Sequence, residues 1–99
     1  MGYKPIYDGS FDVSLDEGFT LEDLVLSIVS RGMFITKYVK IGPGGGNPNV
    51  TMRGTKTQFV RWYKEVYELD NLDPNIDPND ETAVWAFIVT DCGIFENVA

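Results

Sequence analysis

The sequence predicts an α+β fold, a four-stranded antiparallel sheet with two helices on one face, in the order β-α-β-β-α-β. Three observations predict it. Residues 10–16 alternate, with Phe11, Val13 and Leu15 on one side and Ser10, Asp12, Ser14 and Asp16 on the other, the period-two pattern of a half-buried strand. Two stretches repeat apolar side chains at helical spacing: Leu21, Leu24, Val25 and Ile28, and then Phe59, Trp62, Tyr63, Val66 and Leu69. Residues 83–90, AVWAFIVT, form an unbroken apolar run rich in β-formers, read as a strand covered on both faces or lying against a partner.

Each element has local signals. Tyr3, Ile6 and Tyr7 offer the first strand an extension, which Pro5 would confine to an edge, and Asp16, Glu17 and Gly18 turn the chain. Thr20 can cap the first helix, Asp23 can answer it from the third helical position, and Phe19 precedes it as a staple. Leu26 and Val29 widen its apolar stripe, so the helix is expected to be largely buried, and Arg31 with Gly32 is the expected stop. Residues 33–41 read as a strand of imperfect alternation: Ile35, Val39 and Ile41 share a side with Lys37, and Phe34, Thr36, Tyr38 and Lys40 take the other. Residues 42–49 are a glycine-rich hairpin tip and residues 50–53 the returning strand. Thr55 and Gln58 form a capping box for the second helix, and residues 70–81, with Asp-Pro twice, are a surface loop.

This element order resembles the ferredoxin-like, split β-α-β arrangement. A chain of 99 residues buries enough surface for one core and no second, so a single domain over residues 1–99 is expected, and the resemblance chooses no function, because that arrangement hosts many. It also implies that residues 83–90 form a sheet edge, to be shielded by the tail or by a second copy in a homodimer.

Charge is laid out in blocks. Residues 31–64 hold seven of the eight basic residues and no acid, while residues 65–99 hold nine acids and no base, within a net charge of −7. The fold either interleaves these blocks or separates them into faces; only separation gives a strong steering field. Histidine is absent, which removes the usual general base and the Ser-His and Cys-His nucleophile pairs, so the expectation is a non-catalytic protein without a cofactor. The single cysteine, Cys92, cannot form an internal disulfide, and no run approaches the ~20 apolar residues of a membrane span. A cytoplasmic protein with no membrane partner is expected.

Two sets of residues are candidates for binding. The glycine loop with Gly44, Gly45, Gly46 and Asn47, flanked by Lys40, Arg53 and Lys56, could cradle a phosphate-bearing small molecule on its backbone N–H groups, although no nucleotide fingerprint is present; otherwise it is a plain hairpin tip. The acids Asp70, Asp73, Asp77, Asp80 and Glu81, with Trp85, could meet a larger protein partner. The segment from Asp73 to Asn79 begins like a calcium loop but puts Pro78 where glycine is needed and Val84 where a glutamate is needed, so Asp-Pro turns explain it better. The acidic balance opposes direct nucleic-acid binding. In size and charge alone the chain looks like small inhibitors that block a larger, nucleic-acid-binding partner, including those phages deploy. The expected function is therefore regulatory binding by protein contact, with anion or nucleotide binding through the loop as the alternative.

Overall fold

The computed structural model describes residues 5–40, 48–67, 74–91 and 94–97. They form an α+β fold with one four-stranded antiparallel sheet and three helices: β1 (Ile6–Asp12), α1 (Leu21–Val29), β2 (Phe34–Val39), β3 (Asn49–Gly54), α2 (Lys56–Trp62), α3 (Glu81–Asp91) and β4 (Ile94–Asn97). The strand order is β2-β3-β1-β4, so β1 and β3 are central and β2 and β4 are edges.

The main correction concerns residues 83–90, which are helical. An apolar run alone does not distinguish a buried strand from a buried helix. The deciding signal lies just before it: Asp80 Oδ1 accepts the Ala83 N–H at 3.2 Å, capping a helix whose first turn carries Glu81. Val84 and Ile88, four residues apart, then enter the core together. The fourth strand is the shorter Ile94–Asn97, and the sheet edge expected at residues 83–90 does not exist.

The other elements follow their signals. Thr20 Oγ1 accepts from Asp23 N while Asp23 Oδ2 accepts from Thr20 N, and Thr55 and Gln58 repeat that box at the start of α2. Gly32, at φ +84°, closes α1 with Met33 N–H on Ile28 O at 3.2 Å and Gly32 N–H on Val29 O at 3.0 Å. These are the two bonds of a Schellman stop, and Ile28 and Met33, the pair that packs across it, are both buried. α2 continues into a π-helical turn, Tyr63–Tyr67.

One side of the sheet carries the core. Gly9, Phe11 and Val13 from the β1 segment, Val50, Met52 and Gly54 from β3 and Ile94 from β4 are buried there, beneath Leu24 and Ile28 of α1, Phe59 and Trp62 of α2 and Val84 and Ile88 of α3. Gly9 is required where it stands, since a Cβ would lie 2.9 Å from Phe59 Cε1. α2 lies between the other two helices: Trp62 Nε1 donates to Ser27 Oγ of α1 at 3.1 Å, and the Tyr63 ring meets Phe87 of α3 edge-on. With a helix on either side, Trp62 and its neighbour Tyr63 are both buried, where a two-helix layer would bury one.

β2 settles its imperfect alternation with a bulge. Ile35 pairs with Met52 and Lys37 with Thr51, leaving Thr36 over. Ile35 and Tyr38 therefore face the core, and Phe34, Lys37 and Val39 face the opposite side.

Candidate functional site

Among the described residues expected to bind an anion, Lys40, Arg53 and Lys56 do not converge. Lys40 follows the end of β2 beside the Val39↔Asn49 pair, whereas Arg53 pairs with Phe34 at the far end of the same ladder. Asn49 and Arg53 are four residue steps apart along the strand, about 13 Å. Arg53 points to the uncovered side of the sheet, where it donates to both Asp8 carboxylate oxygens at 2.8 and 3.2 Å. That hydrogen bond, with the Asp8 charge, raises the guanidinium pKa further above its ordinary range, against a smaller opposing effect of desolvation. Lys56 begins α2, in the helix layer, and lines a shallow cleft with Pro5, Tyr7 and Thr55. Gly44, Gly45, Gly46 and Asn47 lie outside the described residues.

Among the acids, Asp77 Oδ1 accepts the Asn79 N–H in the Asp-Pro turn, Asp80 caps α3, and Glu81 is half-buried in its first turn. Trp85 is half-buried, its ring 4.7 Å from Tyr7 and 6.2 Å from Phe59. Asp70, Asp73 and Cys92 lie outside the described residues. Among the described residues no group of acids could hold a metal ion, and no helix is long and apolar enough to cross a membrane.

The charge blocks interleave. All three arginines of the sequence are in ion pairs with flanking acids: Arg53 with Asp8, and Arg31 and Arg61 with Glu65. The hydrogen bond from Arg31 holds the Glu65 carboxyl below its ordinary range, opposed by desolvation and helped by Arg61.

Among the described residues two surfaces stand out as exposed. The first is a ridge on α1. Ser27 and Arg31 reach toward α2, so the opposite flank of α1, near the edge strand β2, carries Leu21, Val25, Leu26 and Val29. These were expected in the core, but they are 43%, 38%, 66% and 55% exposed, because Leu24 and Ile28 alone fill the space above β2. Together with Glu22 they line one apolar depression. Asp16, Glu17, Glu22 and Asp23, all exposed, surround the N-terminal end of the ridge.

The second surface is the sheet face away from the helices. Cross-strand register lines up Phe34, Arg53, Asp8 and Phe95 in one row from β2 to β4. Phe34 and Phe95 are 65% and 69% exposed. Below this row Ser10 and Thr51 share a hydroxyl hydrogen bond of 2.9 Å, and Asn49 Nδ2 donates to Asp12 Oδ1 at 2.9 Å. The sequence signal for this face was the strict alternation of Asp8, Ser10 and Asp12; the bulge at Thr36 hid the contribution of β2.

No protein family, no curated protein and no solved structure matches this chain.

Proposed function

We propose that this chain is a non-catalytic regulatory protein that works by protein–protein contact, docking the α1 ridge into an apolar groove of a larger partner. The observation that carries the proposal is the ridge itself. Four large aliphatic side chains in contiguous exposure are costly to leave in water, and contiguous apolar patches of this kind mark interaction sites. Charge complementarity defines the partner further. The acids around the N-terminal end of the ridge suit a groove rimmed by lysine or arginine, and this local negative charge would speed the encounter with such a surface. A basic rim is what a nucleic-acid-binding protein presents, so occupancy by this chain would inhibit that partner by masking it.

Two finer readings belong to the same proposal. A ferredoxin-like origin for the fold is supported by the sheet order, which reads β4-β1-β3-β2 from the other edge, with α3 as an addition between α2 and β4. A cytoplasmic setting is supported by Cys92 being the single cysteine of these residues. The anion-binding alternative draws less support, since Arg53 is engaged by Asp8 and lies far from the loop end of the hairpin.

The test is capture by the tagged chain from cell extract, identification of the captured protein, and reconstitution with both purified proteins in a calorimeter. Leu26→Lys and Val29→Asp should each weaken the reconstituted complex at least tenfold, and raised salt should slow its formation. If both variants bind like the parent chain, the ridge is not the contact.

A further inference from the structure

We propose that the uncovered sheet face is the contact of a two-fold homodimer, with the two sheets packed face to face. The row Phe34, Arg53, Asp8, Phe95 reads aromatic, positive, negative, aromatic across the face. A two-fold interface must be complementary to itself. A second copy turned about an axis parallel to the strands, between β3 and β1, lays its row over the first in reverse. Arg53 then meets Asp8 of the second copy, Asp8 meets its Arg53, and Phe34 meets its Phe95. The same operation lays Thr51 over Ser10 and Asn49 over Asp12 of the second copy. The three polar pairings are ones the chain already makes within itself. The polar groups of the two central strands thus each find a partner of the right kind, and the two exposed rings at each edge are covered.

Other occupants fit less well. Among the described residues the face sets Lys37 and Arg53 against Asp8 and Asp12, two cations against two carboxylates, a balance that offers a polyanion no net attraction. An apolar peptide would cover the rings but leave the central ion pair facing hydrocarbon. In size the face spans four strands of about 4.8 Å spacing and about six residues of length, a footprint of roughly 400 Å². This is about half of what a standard stable interface buries on each partner, so the dimer is a reversible one. The α1 ridge lies on the opposite layer and stays free in each copy, which makes this inference independent of the proposed function.

Sedimentation velocity from about 10 µM to about 1 mM, in roughly 0.15 M salt to screen the net charges, tests it. The parent chain should double in mass across the range. Phe34→Lys and Phe95→Asp should each remain monomeric, while Leu26→Lys on the α1 ridge should dimerise like the parent. The decisive arm uses Asp8→Arg and Arg53→Asp. Each alone places like charges over like charges and should stay monomeric, yet an equimolar mixture restores both cross-copy ion pairs and should dimerise. Circular dichroism checks the fold of every variant. Phe34 and Phe95 are too exposed for their loss to disturb the core, so those two substitutions carry the test if a charge variant does not fold. A parent chain monomeric at about 1 mM overturns the proposal, as does a dimer that persists in Phe34→Lys or a mixture of folded charge variants that fails to associate. Binding of a single-stranded oligonucleotide to the face without self-association would overturn it as well.

Discussion

Tyr67 stacks on Trp62, five residues earlier in the chain, with ring centroids 5.0 Å apart and planes inclined by 20°. In an α-helix, residues five apart diverge by about 140° around the axis and cannot stack; a π-helical turn brings them into line. The turn Tyr63–Tyr67 therefore closes an aromatic cluster in which Phe11 meets Phe59, Trp62 and Tyr67, and the Tyr67 hydroxyl donates to Asp12 O at the end of β1. Tyr67→Ala removes the stack and this tie to the sheet, and should cost about 2–3 kcal/mol in urea unfolding. Tyr67→Phe keeps the stack and should cost about 0.5–1.5 kcal/mol. Equal losses would show that the hydroxyl, and not the ring, holds the turn.

Gly9 lies in the centre of β1 under three side chains. A Cβ there would stand 2.9 Å from Phe59 Cε1, 3.1 Å from Ile94 Cγ1 and 3.2 Å from Phe11 Cε2. Since Phe59 and Phe11 are buried and have little room to yield, Gly9→Ala should destabilise by about 1–3 kcal/mol. Gly18→Ala in the exposed turn, whose nearest neighbour would be Asp16 Oδ1 at 3.4 Å, should stay within about 0.5 kcal/mol of the parent. Thermal melts of the pair, read side by side, check the prediction.

The two faces of α1 should respond oppositely to substitution. Leu24 is fully buried, and Leu24→Ala should cost about 2–5 kcal/mol. Leu26, on the ridge, should accept lysine at less than about 0.5 kcal/mol and a gain in solubility. A large loss of stability in Leu26→Lys would mean that the ridge is structural.

The Glu65 carboxylate links α1 and α2 through Arg31 at 2.9 Å and Arg61 at 3.2 Å. Its pKa is lower in the folded chain than in the unfolded one, so the folded state binds fewer protons in the acid range. The stability this supplies is complete above the unfolded carboxylate pKa and disappears as pH falls through the folded value. The melting temperature of the parent chain should therefore exceed that of Glu65→Gln at about pH 7, with the difference shrinking as pH is lowered through the acid range. A constant difference across that range would show that the contribution is not ionic.

Much of this structure was legible in the sequence because its signals are local. Thr20 with Asp23, Thr55 with Gln58, and Gly32 each act within one helical turn, and each stands where expected. The central hairpin of β2 and β3 was equally plain. The failures share a different cause. AVWAFIVT is apolar on every side, so its periodicity carries no information, and the cap at Asp80 stands directly after a stretch whose two Asp-Pro pairs signal a loop. The first strand ends at Asp12, short of residue 16, and its extension through Ile6 and Tyr7 lies in the middle of the sheet, not at an edge, because β3 and the sequence-distant β4 both pair with it. The bulge at Thr36 depends on how β3 aligns, and the exposure of Val25 and Val29 depends on which helix lies beside α1. Such facts are properties of the assembled layer, beyond the reach of a window of neighbouring residues.

β1 is a central strand built from the first part of the chain, and its two neighbours arrive at very different times. β3 is available midway through synthesis, but β4 lies more than eighty residues after β1 begins. Until residues 94–97 have left the ribosome, the backbone of β1 has one unfilled side and Gly9 lacks Ile94 above it. A nascent chain thus waits with an exposed strand, in the company of an apolar segment at residues 83–90 that has strong β propensity of its own. That segment can pair wrongly with the vacancy before it winds into α3, so the cap at Asp80, by committing it early to a helix, guards the order of assembly as well as the final fold.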